Sequence, residues 1–283
     1  MTDSDDQFYR FVQAALEEDL GDGDHSTLSC ISAEARGRAE LRIKQEGILA
    51  GIRVAENIFR QADPQVQFTG FKRDGESMAT GERAFELEAS VYTILQCERL
   101  VLNCLQRMSG IATLTRQFSE KLKGYKTRIL DSRKTTPNFR LLEKEAVRIG
   151  GGYNHRFGLY DMIMLKDNHI DYCGGISRAV DMAWQYVQKY KPDLKIEVET
   201  RNMEEVREVL STGRVNRIML DNFSPVEIRE ALSLIGGSLE TEASGGIWLD
   251  NVIEYAKTGV DYVSIGGLIH QARSLDMSLK AIR

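Results

Sequence analysis

Apolar positions along this chain follow two rhythms in turn. Up to about residue 125 the pattern is mixed. Residues 7–18 place Phe8, Phe11, Val12, Ala15 and Leu16 on one face of a helix. Residues 38–44 alternate strictly, Ala39, Leu41 and Ile43 against Arg38, Glu40, Arg42 and Lys44, as a half-exposed strand does. Gly47 and Gly51 bracket a turn, 53–61 reads as a short helix, and strands are expected near 66–71 and 84–91. A long helix from about 93 to 122 carries Leu100, Leu102, Leu105 and Met108. Runs of strands with helices at the ends predict a small antiparallel α+β unit.

After residue 126 short apolar runs recur at 128–131, 162–165, 196–198, 218–220, 239–243 and 262–265. Helical patterns at roughly 140–149, 176–190, 203–211, 225–234 and 249–258 separate most of them. Strand alternating with helix means right-handed βαβ units and a parallel sheet. Six strands with room for a seventh predict a (β/α) barrel, complete or not. A doubly wound open sheet is the competitor, and the missing GxGxxG after the first strand weakens its dinucleotide-binding version.

Active sites of parallel barrels lie at the C-terminal strand ends. The first run is followed by Asp131, Arg133, Lys134 and Thr136, and the second by Lys166, Asp167, Asn168 and His169. Glu199 follows the third and Asp221-Asn222 the fourth; Ser244-Gly245-Gly246 and Gly266-Gly267 follow the last two. Residues 128–169 hold eight Lys or Arg and five acids, +3 in a chain whose net charge is −5. Lys144 and Arg148 read as a solvated helix face. Arg133, Lys134, Arg156 and Lys166, with His155 nearby, suit a small polyanionic substrate, because guanidinium forks match carboxylate and phosphate oxygens. Lys166 as a Schiff-base amine is the alternative. Glu199 and Asp221 suit Mg²⁺ held jointly with a substrate phosphate; the plainer reading pairs them with the nearby cations. The two glycine pairs suit backbone N–H cradling of a phosphate.

Composition excludes several classes. Of 283 residues, 42% are apolar and 28% charged, as in ordinary soluble proteins. No apolar run reaches the ~18–20 residues of a membrane helix, so no membrane partner is expected. The net acidity argues against nucleic acid. An acidic start at Asp3, Asp5 and Asp6 is unlike a secretory signal. Cys30, Cys97, Cys104 and Cys173 form no CxxC pair and read as reduced thiols of a cytoplasmic protein. His25, His155, His169 and His270 are too scattered to suggest a metal cluster.

Longer motifs carry a family likeness. EDLGDGDHST at 18–27, GILAG at 47–51 and RLVLNCLQRMSGIAT at 99–113 are followed by DSRKTTP at 131–137 and GGGYNHRFGLYDMIMLKDNHI at 150–170. IEVET at 196–200, IMLDN at 218–222, EASGGI at 242–247 and VSIGG at 263–267 complete the set. On these motifs the chain resembles the quinolinate phosphoribosyltransferases, also called carboxylating nicotinate-nucleotide pyrophosphorylases, nearly end to end. One departure is Asn138-Phe139, where much of the family has Gly-Leu.

The resemblance implies an N-terminal α/β sandwich domain over 1–125, an incomplete, TIM-like α/β barrel over 126–270, and a C-terminal segment, 271–283, packing back on the first domain. It implies transfer of a phosphoribosyl group from phosphoribosyl pyrophosphate (PRPP) to quinolinate with loss of CO₂, a step of NAD biosynthesis, in homodimers with shared sites; further assembly to hexamers stays open. Arg99 (lent by the partner), Arg133, His155, Arg156 and Lys166 would surround quinolinate. Lys134, Thr135, Ser244, Gly245, Gly246, Gly266, Gly267 and Leu268 would hold PRPP. Glu199 and Asp221 would bind Mg²⁺ and, with Lys134, act in catalysis. Glu197 shares a strand face with Glu199, which sits nearer the strand end. A related pyrophosphorylase with another acceptor, or a non-catalytic anion-binding barrel, is the competing reading.

Overall fold

The computed structural model describes residues 3–282. Its strands are β1 (Arg36–Ile43), β2 (Gly47–Ile48), β3 (Gln67–Gly70), β4 (Ser77–Met78), β5 (Arg83–Ser90), β6 (Arg128–Leu130), β7 (Ile163–Leu165), β8 (Ile196–Thr200), β9 (Arg217–Asp221), β10 (Glu240–Ser244), β11 (Tyr262–Ser264) and β12 (Met277–Ile282). The chain divides into two units. The first holds residues up to 116, 135–151, and those from 268 on; the second holds 117–134 and 152–267.

In the first unit an antiparallel sheet runs in the order β12-β1-β5-β3. The alternation of β1 buries Ala39, Leu41 and Ile43 on one face. The opposite face still buries Glu40, which the ion pairs with Arg42 (2.5 Å) and Arg83 (3.5 Å) compensate. Helix Ile52–Ala62 turns Val54, Ala55, Ile58 and Phe59 inward, and Phe59 meets Phe85 of β5 edge-on, centroids 6.4 Å apart. The C-terminal strand β12 pairs with β1 through Met277↔Ile43 to Ile282↔Arg38.

Helix Arg140–Ile149 belongs to this unit and corrects one expectation. Lys144 is only 1% exposed, as buried as its neighbours Leu142, Glu143, Ala146 and Val147. Most of the helix circumference is therefore covered, and a charge pattern that reads as solvated is not. Arg148 is exposed as expected. Glu143, wholly buried, accepts hydrogen bonds from Arg107 (2.9 and 3.0 Å), the Thr136 amide (2.8 Å) and the Thr136 hydroxyl (3.0 Å). This anchors the loop that precedes the helix.

In the second unit six strands lie in the order β6-β11-β10-β9-β8-β7, every pair parallel. Tyr153 adds an isolated parallel bridge to Leu130 beside β6, the trace of a seventh position. An incomplete (β/α) barrel results. Its helices follow local rules: helix Pro225–Ile235 opens with a capping box between Ser224 and Glu227, and Asn202 caps Met203–Thr212 through the Glu205 amide. No helix among the described residues is long and apolar enough to cross a membrane.

Candidate active site

Parallel pairing brings all six C-terminal strand ends to one edge of the sheet. Lys166 follows β7, Glu199 lies in β8, Asp221 ends β9, Ser244 ends β10 and Gly266 follows β11. Lys166 Nζ lies 3.1 Å from Glu199 Oε2, so the plain ion pair is the state observed for that acid. On the neighbouring strand the Asp221 carboxylate accepts from Ser244 Oγ at one oxygen and from Asn222 Nδ2 (2.7 Å) at the other. Two side chains that offer only carboxylate oxygens, on adjacent strands, fit a hard divalent cation such as Mg²⁺.

The stretch between β6 and β7 is cationic. Arg156 is 9% exposed, and its Nη1 donates to the Met162 carbonyl (3.1 Å). Burial lowers its pKa, and the nearby charge of Arg133 lowers it further. Arg133 Nε is itself a buried donor without an acceptor among the described residues. The two guanidinium charges repel each other, and an anion held by both would relieve that cost. Lys134 is exposed, and its amide donates to Ser132 Oγ (3.1 Å).

His155 is 8% exposed. Its amide donates to Asp131 Oδ1 (2.8 Å), and its Nδ1 accepts the Arg156 amide proton (2.7 Å). Its Nε2 faces Glu197 Oε2 at 3.0 Å and Glu242 Oε2 at 3.4 Å. Burial works against a charge on the ring, while the two glutamate charges draw a proton toward Nε2. A doubly protonated ring, however, has no lone pair on Nδ1 for the Arg156 amide. The 2.7 Å bond decides the competition: the glutamates' pull fixes the ring proton on Nε2. Both ring nitrogens therefore face protein groups, the Arg156 amide at Nδ1 and the two glutamates at Nε2.

The two glycines after Ser244 differ. Gly245 has φ +85°, and a Cβ there would stand 2.7 Å from Asn222 Cγ and 3.1 Å from the Asn222 amide nitrogen, with Oδ1 closer still. Gly246 has φ +63°, and a Cβ there would meet nothing within 4 Å. Gly245 makes room for the side chain that holds Asp221; Gly246 presents open backbone. Asn222 itself takes φ +59°, a conformation asparagine tolerates.

Three expected site residues belong to the first unit. Arg99 is exposed on helix Val91–Lys121 and lines a groove of about 1070 Å³ with Arg10, Phe11, Asn103, Arg107 and Asn138. Thr135 Oγ1 accepts from Arg140 Nε (2.9 Å). The Leu268 side chain is fully buried, which leaves only its backbone for a ligand. The Asn138-Phe139 departure also becomes intelligible: Asn138 holds φ +62°, and the Phe139 ring packs edge-on against Phe11, centroids 5.5 Å apart. The turn survives because asparagine accepts the left-handed conformation that glycine would otherwise supply.

Sequence reasoning missed Glu242 and the role of Asn222. Glu242 carries a readable signal, a charge two residues before Ser244 on one strand face, which points inward if Ser244 does.

Comparison with known proteins agrees with this geometry. Residues 24–109 match the quinolinate phosphoribosyl transferase N-terminal domain, and residues 111–280 the C-terminal domain of the same family. A quinolinate phosphoribosyltransferase [decarboxylating] 2, mitochondrial, from Nicotiana glauca is 42% identical over 95% of this chain and 80% of its own length. A probable nicotinate-nucleotide pyrophosphorylase [carboxylating] from Bacillus subtilis is 44% identical over 96% of this chain and 93% of its own. The crystal structure of NadC from Streptococcus pyogenes superposes with a TM-score of 0.88 at 40% identity, covering 96% of both chains. By these matches, and by the motifs that line its strand ends, the chain belongs to the quinolinate phosphoribosyltransferase family.

Proposed function

We propose that this protein transfers the phosphoribosyl group of PRPP to quinolinate and decarboxylates the product, yielding nicotinate mononucleotide, pyrophosphate and CO₂. The observation that carries the reading is the buried, acceptor-less Arg133 Nε beside the buried Arg156. Such a pair suits a small dianion, because charge-assisted guanidinium–carboxylate contacts strengthen as water leaves. Quinolinate brings two carboxylates next to a ring nitrogen. Arg133, Arg156 and Lys166 hold the carboxylates, and His155 shapes the wall behind them. The ring nitrogen then stands free to attack the sugar C1.

Glu199 and Asp221 would hold Mg²⁺, which when bound neutralises charge on the departing pyrophosphate. Lys166 must then exchange its Glu199 partner for the substrate carboxylate. Lys134, Ser244 and the backbone of Gly246, Gly266 and Gly267 hold phosphate oxygens, Gly246 having open space beside it. A carboxylate near the sugar, Glu199 or Asp221, offsets oxocarbenium charge. After the nitrogen is alkylated its positive charge stabilises the electron pair left on the adjacent ring carbon as CO₂ departs, and a proton from water takes up that pair to give nicotinate mononucleotide, so no organic cofactor is needed.

In this reading the exposed Arg99 completes the quinolinate subsite of a second copy in a homodimer. The free thiols at Cys30, Cys97, Cys104 and Cys173 support a reducing compartment such as the cytoplasm. Purified protein supplied with quinolinate, PRPP and Mg²⁺ should release CO₂ and pyrophosphate in equal amounts. Turnover of another pyridine acid with none of quinolinate would reassign the acceptor; tight PRPP binding without any turnover would make the barrel a binding protein.

A further inference from the structure

Beneath the strand-end mouth lies a group of charges that the proposed reaction does not use. Glu197 and Glu242 are both wholly buried, and the His155 ring meets them within the barrel. Arg217 is their counter-charge: its Nη1 lies 3.2 Å from Glu242 Oε2. Arg217 is itself fixed, stacked on Tyr262 at 4.3 Å and bound to Glu240 at 3.0 Å. Ligand atoms of His155, Glu197 and Glu242 fall within 4.8 Å of one another, a spacing that would also suit a metal. The histidine excludes that use. A ligating Nε2 leaves its proton on Nδ1, which then needs an acceptor. Here Nδ1 faces a donor, the Arg156 amide, at 2.7 Å.

What the cluster does follows from its connections. Arg217 pairs with Glu242, Glu242 and Glu197 face His155 Nε2 with their charge, and the ring so oriented accepts the Arg156 amide proton. Arg156 is one of the two guanidiniums assigned above to the substrate dianion, and its Nη1 donates to the Met162 carbonyl at 3.1 Å. We infer that Glu242 is a positioning residue for the quinolinate subsite, acting through His155 to set the backbone and guanidinium of Arg156. The inference rests on the functional reading given above. Glu242 keeps its negative charge, because hydrogen bonds from His155 and Ser264 and the charge of Arg217 overcome its burial. A fixed negative charge at this depth costs desolvation, and a positioning role is a reason for its presence that packing alone does not supply.

The test is a double-mutant cycle in the full-length enzyme with Mg²⁺, reading quinolinate and PRPP KM separately. Glu242→Gln keeps the shape and removes the charge. It should raise the quinolinate KM about 10- to 100-fold, the effect of a displacement near 1 Å, while PRPP KM stays within about twofold. Glu242→Asp, which keeps the charge, should recover part of the loss. Arg156→Lys combined with Glu242→Gln should lose little beyond Arg156→Lys alone, since both act at one point. Additive losses, or KM values for both substrates rising together, would overturn the inference. Should the variants not fold, ¹⁵N-histidine spectra of the unaltered protein decide it: a proton on Nε2 supports the chain of contacts, and a proton on Nδ1 alone refutes it. If unaltered protein does not bind quinolinate by calorimetry, the functional reading fails first. If it does bind and the cycle is additive, only the positioning role falls.

Discussion

Gly245→Ala and Gly246→Ala separate two reasons for a glycine that sequence alone cannot tell apart. Both residues have positive φ, +85° and +63°, so each alanine carries backbone strain of about 1–2 kcal/mol. Only Gly245 adds a collision: its new Cβ would stand 2.7 Å from Asn222 Cγ and 3.1 Å from the Asn222 amide nitrogen. Overpacking of that kind costs about 1–3 kcal/mol more. Asn222 must yield, and the hydrogen bond it donates to Asp221 at 2.7 Å is lost. Gly245→Ala should therefore unfold at a lower temperature than Gly246→Ala by calorimetry, and should need more Mg²⁺ for half-maximal rate. Gly246→Ala, which meets nothing within 4 Å, should keep that Mg²⁺ dependence but raise the KM for PRPP if its Cβ enters the space proposed for phosphate. Equal unfolding temperatures together with equal Mg²⁺ dependence would refute the argument that Gly245 exists to seat Asn222.

Three other outcomes are expected. Arg133→Ala should raise quinolinate KM roughly 10- to 100-fold, the worth of about 1.5–3 kcal/mol in charge-assisted contacts, without lowering the unfolding temperature, because Nε has no acceptor to lose among the described residues; unchanged kinetics would remove it from the proposed subsite. Subunits carrying Arg99→Ala, mixed with subunits carrying Lys166→Ala, should regain part of the activity, and no recovery after proven exchange would count against shared sites. Asp261 bears on acid stability. Burial would raise its pKa, but bonds from Thr241 Oγ1 (2.6 Å) and Lys126 (3.2 Å) hold it below the usual 3.8. Its stabilisation is present above pH 3.8 and lost as pH falls through the lower folded value. Asp261→Asn should thus flatten the acid limb of a stability profile, and an unchanged limb would contradict the assignment.

Much of the site was legible in the chain because its information is local. A parallel barrel repeats strand and helix, so the residue after each apolar run is a strand-end residue, and Lys166, Glu199, Asp221 and Ser244 could be placed by counting. Period 2 gave the inward face of β1 in the same way, and period 3.6 the helices at 140–149 and 176–190.

Other features depend on which strands become neighbours. Lys144 reads as solvated because periodicity reports one covered face of a helix, and folding covered more than one. Gly245 and Asn222 lie far apart along the chain, and the pairing of Ser244 with Asp221 in β10 and β9 makes them compete for one space. His155, Glu197 and Glu242 come from three separate stretches and meet only inside the barrel. The sequence alone determined the alternation, the charged strand ends and the family motifs, since each is written in the spacing of residues a few positions apart. The tertiary structure decided which charges lose their water and whom they then face, because burial and partnership arise only when distant segments close around a common core.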